Sequence, residues 1–180
     1  MSSTEDVPHP ARLVADSQSE MTEVILPNDA NTLGNLLGGR LMHFIDLVGA
    51  IAAYRHCRTH VVTAAMDHID FIHPVHVGDL LTLKSSVNRA FSTSMEVGVK
   101  VWVENTKTGG MRHVASAYLV FVAVDRNGNR MRVPGITPLT CDEQRRYDDA
   151  LLRREHRESE QARRKKAKQE AAALEVAAEQ

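Results

Sequence analysis

PNDANTLGNLLGGRLMHFIDLVGAIAAYRHC, residues 27–57, decides how this chain is read. Its second part, roughly Gly39 to Tyr54, predicts a helix. Leu41, Met42, Phe44, Ile45, Leu47, Val48, Ile51 and Ala52 run almost all the way round it. A surface helix shows a single apolar stripe, so this one is expected to be largely buried. At helical spacing Gly39, Met42, His43, Asp46, Gly49, Ala50 and Ala53 share a face. That face is rich in small residues and open to close approach. A carboxylate on it is costly unless it is paired, solvated or used.

Working outward, Val24-Ile25-Leu26 is a short strand stopped by Pro27, which cannot donate to a ladder. The loop from Asn28 to Asn35 follows, and Gly38-Gly39 opens the helix. Two glycines let the backbone approach a ligand, and the first amides of a helix have no internal partners. Arg55, His56 and Arg58 suit the negative end of the helix.

Beyond it comes a run of strands. Val61 to Ile72 is β-branched and ends before Pro74; Asp79 to Ala90 alternates at Leu81 and Leu83. The clearest is Met95 to Val103, with Met95, Val97, Val99, Val101 and Val103 facing one way and Glu96, Gly98, Lys100, Trp102 and Glu104 the other. Asn105 to Gly110 reads as a turn. His113 to Val124 reads as a strand buried on both faces, and Asp125-Arg126-Asn127-Gly128 as a turn. Strands joined by short turns imply an antiparallel sheet. One helix apolar all round wants that sheet on one side and a second subunit on the other.

The flanks differ from this middle. Residues 1–18 are polar, without periodicity, and are expected to be a loose leader. The leader lacks the basic and apolar segments of a signal peptide. Thr140 and Glu143 form a capping box. From Cys141 onward ten basic and ten acidic residues alternate in clusters, which predicts a long solvated helix, frayed toward its end. The domain is thus placed at 19–132 and a charged helical tail at 139–180, a fold of the α+β class.

Global charge is nearly balanced, at −1, which does not point to nucleic acid or a membrane surface. The basic run Arg163 to Lys166 lies among acids and reads as a solvated face. Two cysteines in unlike contexts make no disulfide framework and fit a reducing compartment. No apolar run is long enough to span a bilayer. A soluble, cytoplasmic protein is expected.

Several residues could carry chemistry. Asp46 can act as a general base or as a nucleophile, or it can be an acid paired with His43 one turn earlier. Asn31 and Asn35 are either functional or ordinary turn asparagines. The Gly38 and Gly39 amides could form an oxyanion site, or the glycines could serve close packing. Arg89, with Thr93 and Ser94 near a strand-to-strand turn, would suit a phosphate or make a polar turn. His56, Cys57 and His60 resemble a metal fragment but lack the further ligands of a zinc site. There is no phosphate-binding loop, no dinucleotide fingerprint and no serine-hydrolase elbow.

The ordered set Pro27-Asn-Asp-Ala-Asn-x-x-Gly-Asn-x-x-Gly-Gly, Met42-x-x-x-Asp46-x-x-Gly49-Ala50-Ile51, Arg55-His56-Cys57, Asp70-Phe71-x-x-Pro74-Val75-x-x-Gly78-Asp79, Thr93-Ser94-Met95-Glu96-Val97 and Val101-Trp102-Val103 closely resembles the hotdog-fold acyl-coenzyme A thioesterases. The branch is that of the brain-type long-chain acyl-CoA hydrolase and its small bacterial relatives. The resemblance covers about residues 20 to 125. It implies a central helix wrapped by an antiparallel sheet, pairing into a homodimer and often a trimer of dimers. It also implies hydrolysis of an acyl-CoA substrate to free fatty acid and coenzyme A, with no metal or bound cofactor.

By position, the resemblance makes Asp46 the catalytic acid and Asn31 the catalytic asparagine, meeting across the dimer interface. Gly38 and Gly39 would polarise the thioester carbonyl, and Arg89, Thr93 and Ser94 would lie near the coenzyme A phosphates or pantetheine. Leu37 departs from the His or Phe that many relatives carry before the paired glycines, which bears on acyl-chain preference. Two other classes stand beside the thioesterase: a hotdog hydratase, whose paired Asp and His motif is missing, and a non-catalytic acyl-CoA binding or assembly module.

Overall fold

Strict alternation from Met95 to Val103 becomes the middle strand of a five-stranded sheet. The computed structural model describes residues 10–178 apart from 105, 107 and 108. Its first elements are β1 (Arg12–Leu13), a 3-10 turn (Val14–Ser17), β2 (Ser19–Val24), a second 3-10 turn (Pro27–Asp29) and the helix α1 (Gly38–Cys57). Then come β3 (His60–Phe71), β4 (Leu80–Ala90), β5 (Ser94–Glu104), β6 (Met111–Val124), β7 (Ile136–Thr137) and α2 (Cys141–Ala178). The large sheet runs β2-β4-β5-β6-β3, antiparallel throughout, so β3 is an edge strand.

One face of the sheet packs on α1. Met95, Val97, Val99, Leu119 and Phe121 meet Leu41, Phe44, Ile45, Val48 and Ala52, all buried. Gly49 lets helix and sheet approach closely: a Cβ there would stand 3.2 Å from the Phe121 ring. Ser85 Oγ donates to the Val48 carbonyl at 2.8 Å, tying β4 to the middle of the helix. Arg58 ends α1 in the left-handed conformation, its N–H donating to the Tyr54 carbonyl.

Three expectations change. Residues 10–18 are not a loose leader: Arg12 and Leu13 pair in parallel with Ile136 and Thr137, and Val14 and Ser17 are buried. Residues 1–9 lie outside the described residues, as does part of the expected turn at 105–110. Next, α1 is buried on one side only. Met42, Leu47, Ile51 and Tyr54 remain 41%, 42%, 43% and 51% exposed, because the sheet of a single chain covers only half the helix. The shared small-residue face also divides: Gly49 and Ala53 turn to the sheet, Met42 and His43 to solvent.

Finally, the first half of α2 is docked, not solvated. The capping box forms as expected, with Glu143 N–H on Thr140 Oγ1 at 3.2 Å and Thr140 N–H on Glu143 Oε2 at 3.1 Å. Beyond it Ala150 is fully buried, and Arg153 grips Glu96 on the sheet face away from α1. Among the described residues no helix is long and apolar enough to cross a membrane.

Candidate active site

The loop before α1 is built to hold one side chain. Asp29 accepts the Leu26 N–H at 3.1 Å and Arg40 Nε at 2.7 Å, which binds the loop to the first turn of the helix. The Leu26 N–H and, against the cost of burial, Arg40 hold the Asp29 carboxyl below its ordinary range. Leu36 N–H reaches the Val75 carbonyl at 2.7 Å, closing the loop onto the segment after β3.

Asn31 sits in this frame. Its Oδ1 accepts the N–H groups of Leu33 at 3.0 Å and Asn35 at 3.1 Å. This is turn chemistry, and it also decides what is left over. The oxygen is used, so the side chain's free valence is its NH2, a donor only. Asn35 serves through its backbone, its carbonyl accepting the Asn31 N–H at 2.8 Å.

Gly38 and Gly39 are the first two residues of α1, both exposed, with no side-chain cap and no acid in the first turn. A Cβ on Gly39 would meet nothing within 4 Å, so its backbone borders open space. Their amides are free of intrahelical bonds and carry the positive end of the helix dipole. A cleft of about 340 Å³ opens beside them, lined by Leu36, Gly38, Leu41, Phe71, Ile72 and Val75 among others.

Asp46 lies two turns further along, half-buried at the border of the uncovered helix face. Its Oδ1 accepts the Thr63 hydroxyl of β3 at 2.6 Å. The alternative partner, His43, instead lies exposed, with its ring 6.1 Å from that of Phe44. Thr63 was not legible in the sequence, since a threonine in a β-branched strand carries no mark of function.

These groups do not converge within one chain. Gly39 and Asp46 are seven residues apart on one helix, or roughly 10 Å along its axis. One reaction would need the amides about 3 Å from the carbonyl oxygen and Asp46 within hydrogen-bond reach of the water that attacks the same carbonyl, or of its carbon. Arg89, Thr93 and Ser94 are further still, at the other end of α1. The Thr93 carbonyl accepts the N–H of Ala123, which lies opposite Val61 at the start of β3, just beyond the helix end. Arg89 is committed to α2, donating to the Tyr147 carbonyl at 3.1 Å with its guanidinium 4.0 Å above the Tyr147 ring.

Of His56, Cys57 and His60, the first two are engaged in other roles. The fully buried His56 ring donates from Nε2 to the Pro134 carbonyl at 2.8 Å, and burial lowers its pKa. Burial likewise raises the Cys57 thiol, which makes it a poor nucleophile.

Residues 33–109 match the thioesterase superfamily. Over 148 residues the chain is 38% identical to YkhA of Bacillus subtilis, described as an uncharacterized acyl-CoA thioester hydrolase, covering 82% of this chain and 86% of that protein. An acyl-CoA hydrolase from Staphylococcus aureus, solved in complex with butyryl coenzyme A, coenzyme A and coenzyme A disulfide, superposes with a TM-score of 0.81 at 35% identity, over 92% of this chain and 99% of that one. A hexameric acyl-CoA thioesterase solved in its apo form superposes with a TM-score of 0.82 at 37% identity, over 85% and 98%. With likeness in sequence and in fold over most of its length, the chain belongs to the hotdog-fold acyl-CoA thioesterases of the thioesterase superfamily.

Proposed function

We propose that this protein hydrolyses fatty acyl-CoA thioesters to free acid and coenzyme A at a site shared by two chains. One chain supplies Asp46 with Thr63; the other supplies Asn31 and the Gly38 and Gly39 amides. The observation that carries the reading is the Asp46–Thr63 bond at the edge of an uncovered helix face, on a helix whose own amide donors are too far away to serve the same carbonyl. A second copy laid on Met42, Leu47, Ile51 and Tyr54 would cover apolar surface and bring the opposite loop to Asp46.

In the proposed reaction Asp46 takes a proton from water as the water oxygen attacks the thioester carbon. Thr63 holds one carboxylate oxygen and leaves the other for the proton. The glycine amides and the Asn31 NH2 donate to the oxyanion, and the collapsing intermediate expels the coenzyme A thiolate, which takes up the proton. Every group used is a carboxylate, a hydroxyl, a carboxamide or a backbone amide. Thr93 and Ser94, beside the far end of α1, would come to this site only from the partner chain, as contacts for the coenzyme A moiety, and Arg89 would join them on leaving Tyr147. Support comes from the Staphylococcus enzyme, which was also studied as alanine variants of an aspartate, an asparagine and a threonine. The spacings between those three, 15 and 17 residues, equal those of Asn31 to Asp46 and Asp46 to Thr63. The hexameric relatives support self-association, with a trimer of dimers as the proposed assembly.

The test is complementation. Asn31→Ala and Asp46→Asn are each expected to lose thiol release on short to long acyl-CoAs. After subunit exchange the mixture should recover about a quarter of parent activity, because each mixed dimer keeps one intact site. Recovery of none would place the site within one chain. Turnover by Asp46→Asn itself would remove the acid from the mechanism. Oxygen-18 appearing in the Asp46 carboxylate during a single turnover would replace the base with a nucleophile.

A further inference from the structure

We infer that Arg157 of α2 is a positioning residue for the reaction: through Asp67 it fixes the bulged stretch of β3 that presents Thr63 to Asp46. The inference rests on the proposed role of Asp46.

The ladder between β3 and β6 breaks twice. Thr63 stands opposite Phe121 and Ala65 opposite Val120, leaving Ala64 over; Met66 stands opposite Leu119 and His68 opposite Tyr118, leaving Asp67 over. In a regular strand residues 63, 65 and 67 would point to one face. Thr63 points at α1, so an unbulged Asp67 would also be driven toward the apolar layer under the helix, where a carboxylate is costly. The bulges re-aim it. Asp67 meets Arg157 on the opposite face, where both side chains are mostly buried, 13% and 19% exposed. Two residues four apart thus work on opposite sides of one strand.

An edge strand has a ladder on one side only, and bulges weaken that ladder. Within one chain, α2 supplies a further hold on this strand. Arg157 also lies 3.8 Å from Glu96 Oε2, and Glu96 on the central strand is fully buried. Arg153 grips that carboxylate with two bonds, at 3.1 and 2.7 Å, and Asn88 Nδ2 donates to it at 3.1 Å. The Arg153 guanidinium lies 3.8 Å above the ring of Tyr118, which stands opposite His68 beside the second bulge. Contacts therefore run from the rigid middle of the sheet, through α2, to the bulge at Asp67. Four residues away the Thr63 hydroxyl holds Asp46 at 2.6 Å, a geometry that a shift of about 1 Å in the strand would break.

The test uses the full-length chain. Arg157→Ala and the near-isosteric Asp67→Asn are expected to lower kcat about tenfold or more, with KM within about threefold of the parent. Arg157→Lys should recover part of the loss. The decisive readout is a cycle with Thr63→Ala, whose cost should largely vanish in the Arg157→Ala or Asp67→Asn background. Parent kcat in a folded Asp67→Asn overturns the inference, and so does a Thr63→Ala cost that multiplies unchanged onto that background. Asp46→Asn run alongside separates the failures. If it stays active, the site assignment has failed; if it is dead while Asp67→Asn turns over normally, only the positioning role has.

Discussion

The two helices of this protein invert what their compositions suggest. α1 is apolar almost all round, yet in one chain it covers only half of itself, leaving Met42, Leu47, Ile51 and Tyr54 exposed. α2 is dense in charge, yet its first half is held to the sheet by arginines that end on the buried Glu96 and on Asp67. Hydrophobicity tells where a surface prefers to be covered, and a second chain can do the covering. Charge tells little about burial when the opposite charge waits on the other element. Long arginine stems also supply contact area: Arg154 lies 4.3 Å above the Phe91 ring and Arg89 4.0 Å above that of Tyr147.

The sharpest way to break the comparison is to make the open face of α1 polar. Ile51→Glu puts a charge among Leu47, Tyr54 and Val61, the apolar floor of a shallow cleft rimmed by Arg55, Arg58 and His60. It is expected to lower the mass in solution to that of one chain, about 20 kDa, and to cut turnover by 10²-fold or more, because each Asp46 loses the donors of its partner. Light scattering and thiol release on the same sample decide it. A monomer with parent activity would show that one chain makes a whole site.

On the α2 side, Arg153→Ala takes the two-bonded guanidinium from the buried Glu96 carboxylate and leaves it Asn88 and the more distant Arg157. Breaking one partner of a buried pair costs about 3–5 kcal/mol, whereas replacing both by apolar residues is often neutral. Urea unfolding should therefore rank Arg153→Ala well below Arg153→Met combined with Glu96→Leu. Equal midpoints for the two would mean that Glu96 is not buried at the cost the structure implies.

How much of this could be read from the chain follows from the same contrast. The strands and α1 were legible because period and turn residues are local signals: Met95 to Val103 alternates strictly, and Pro27 and Gly38 punctuate the helix entry. Asp46 stood out as a lone acid on an apolar helix, and Asn31 through the family resemblance. Thr63 did not, because its meaning depends on a pairing 17 residues away and on bulges that no local pattern announces. The docking of α2 was missed for a related reason. Arg153 and Glu96 are 57 residues apart, and an arginine in a charged helix looks the same whether it meets water or a buried carboxylate. Residues 12–17 read as loose in the sequence because a two-residue strand is too short to show a period.

A smaller effect belongs to the far end of α1. His56 is buried and donates to Pro134, and burial depresses its pKa in the folded state. The unfolded chain therefore binds the proton first, near the ordinary value of about 6.5, and stability falls as pH drops through and below that value. Between pH 7.5 and 5.5 the Tm of the parent should fall more than that of His56→Gln, which keeps a donor for Pro134 without titrating. Parallel curves would show that His56 protonates as easily in the folded protein as in the unfolded chain.

The smallest effect is expected where α2 leaves the domain. Past Arg157 its ion pairs join residues of the helix itself: Arg163 and Arg164 with Glu160 at 3.8 and 3.6 Å, and Lys166 with Glu170 at 3.8 Å, all at exposed side chains. Such pairs are worth about 0.3–0.5 kcal/mol each and steady only the helix that carries them. A chain ending at Glu158 keeps the grips on Glu96 and Asp67 and loses this extension. Its Tm should stay within about 2 °C of the parent, and its kcat should be unchanged. Its mass in solution is the discriminating number. An unchanged assembly makes the extension a solvated spur, as its charge pattern suggested, while dissociation at parent Tm would make the same charges the contact between dimers. In that case both helices, one apolar and one charged, would have been completed by a neighbouring chain.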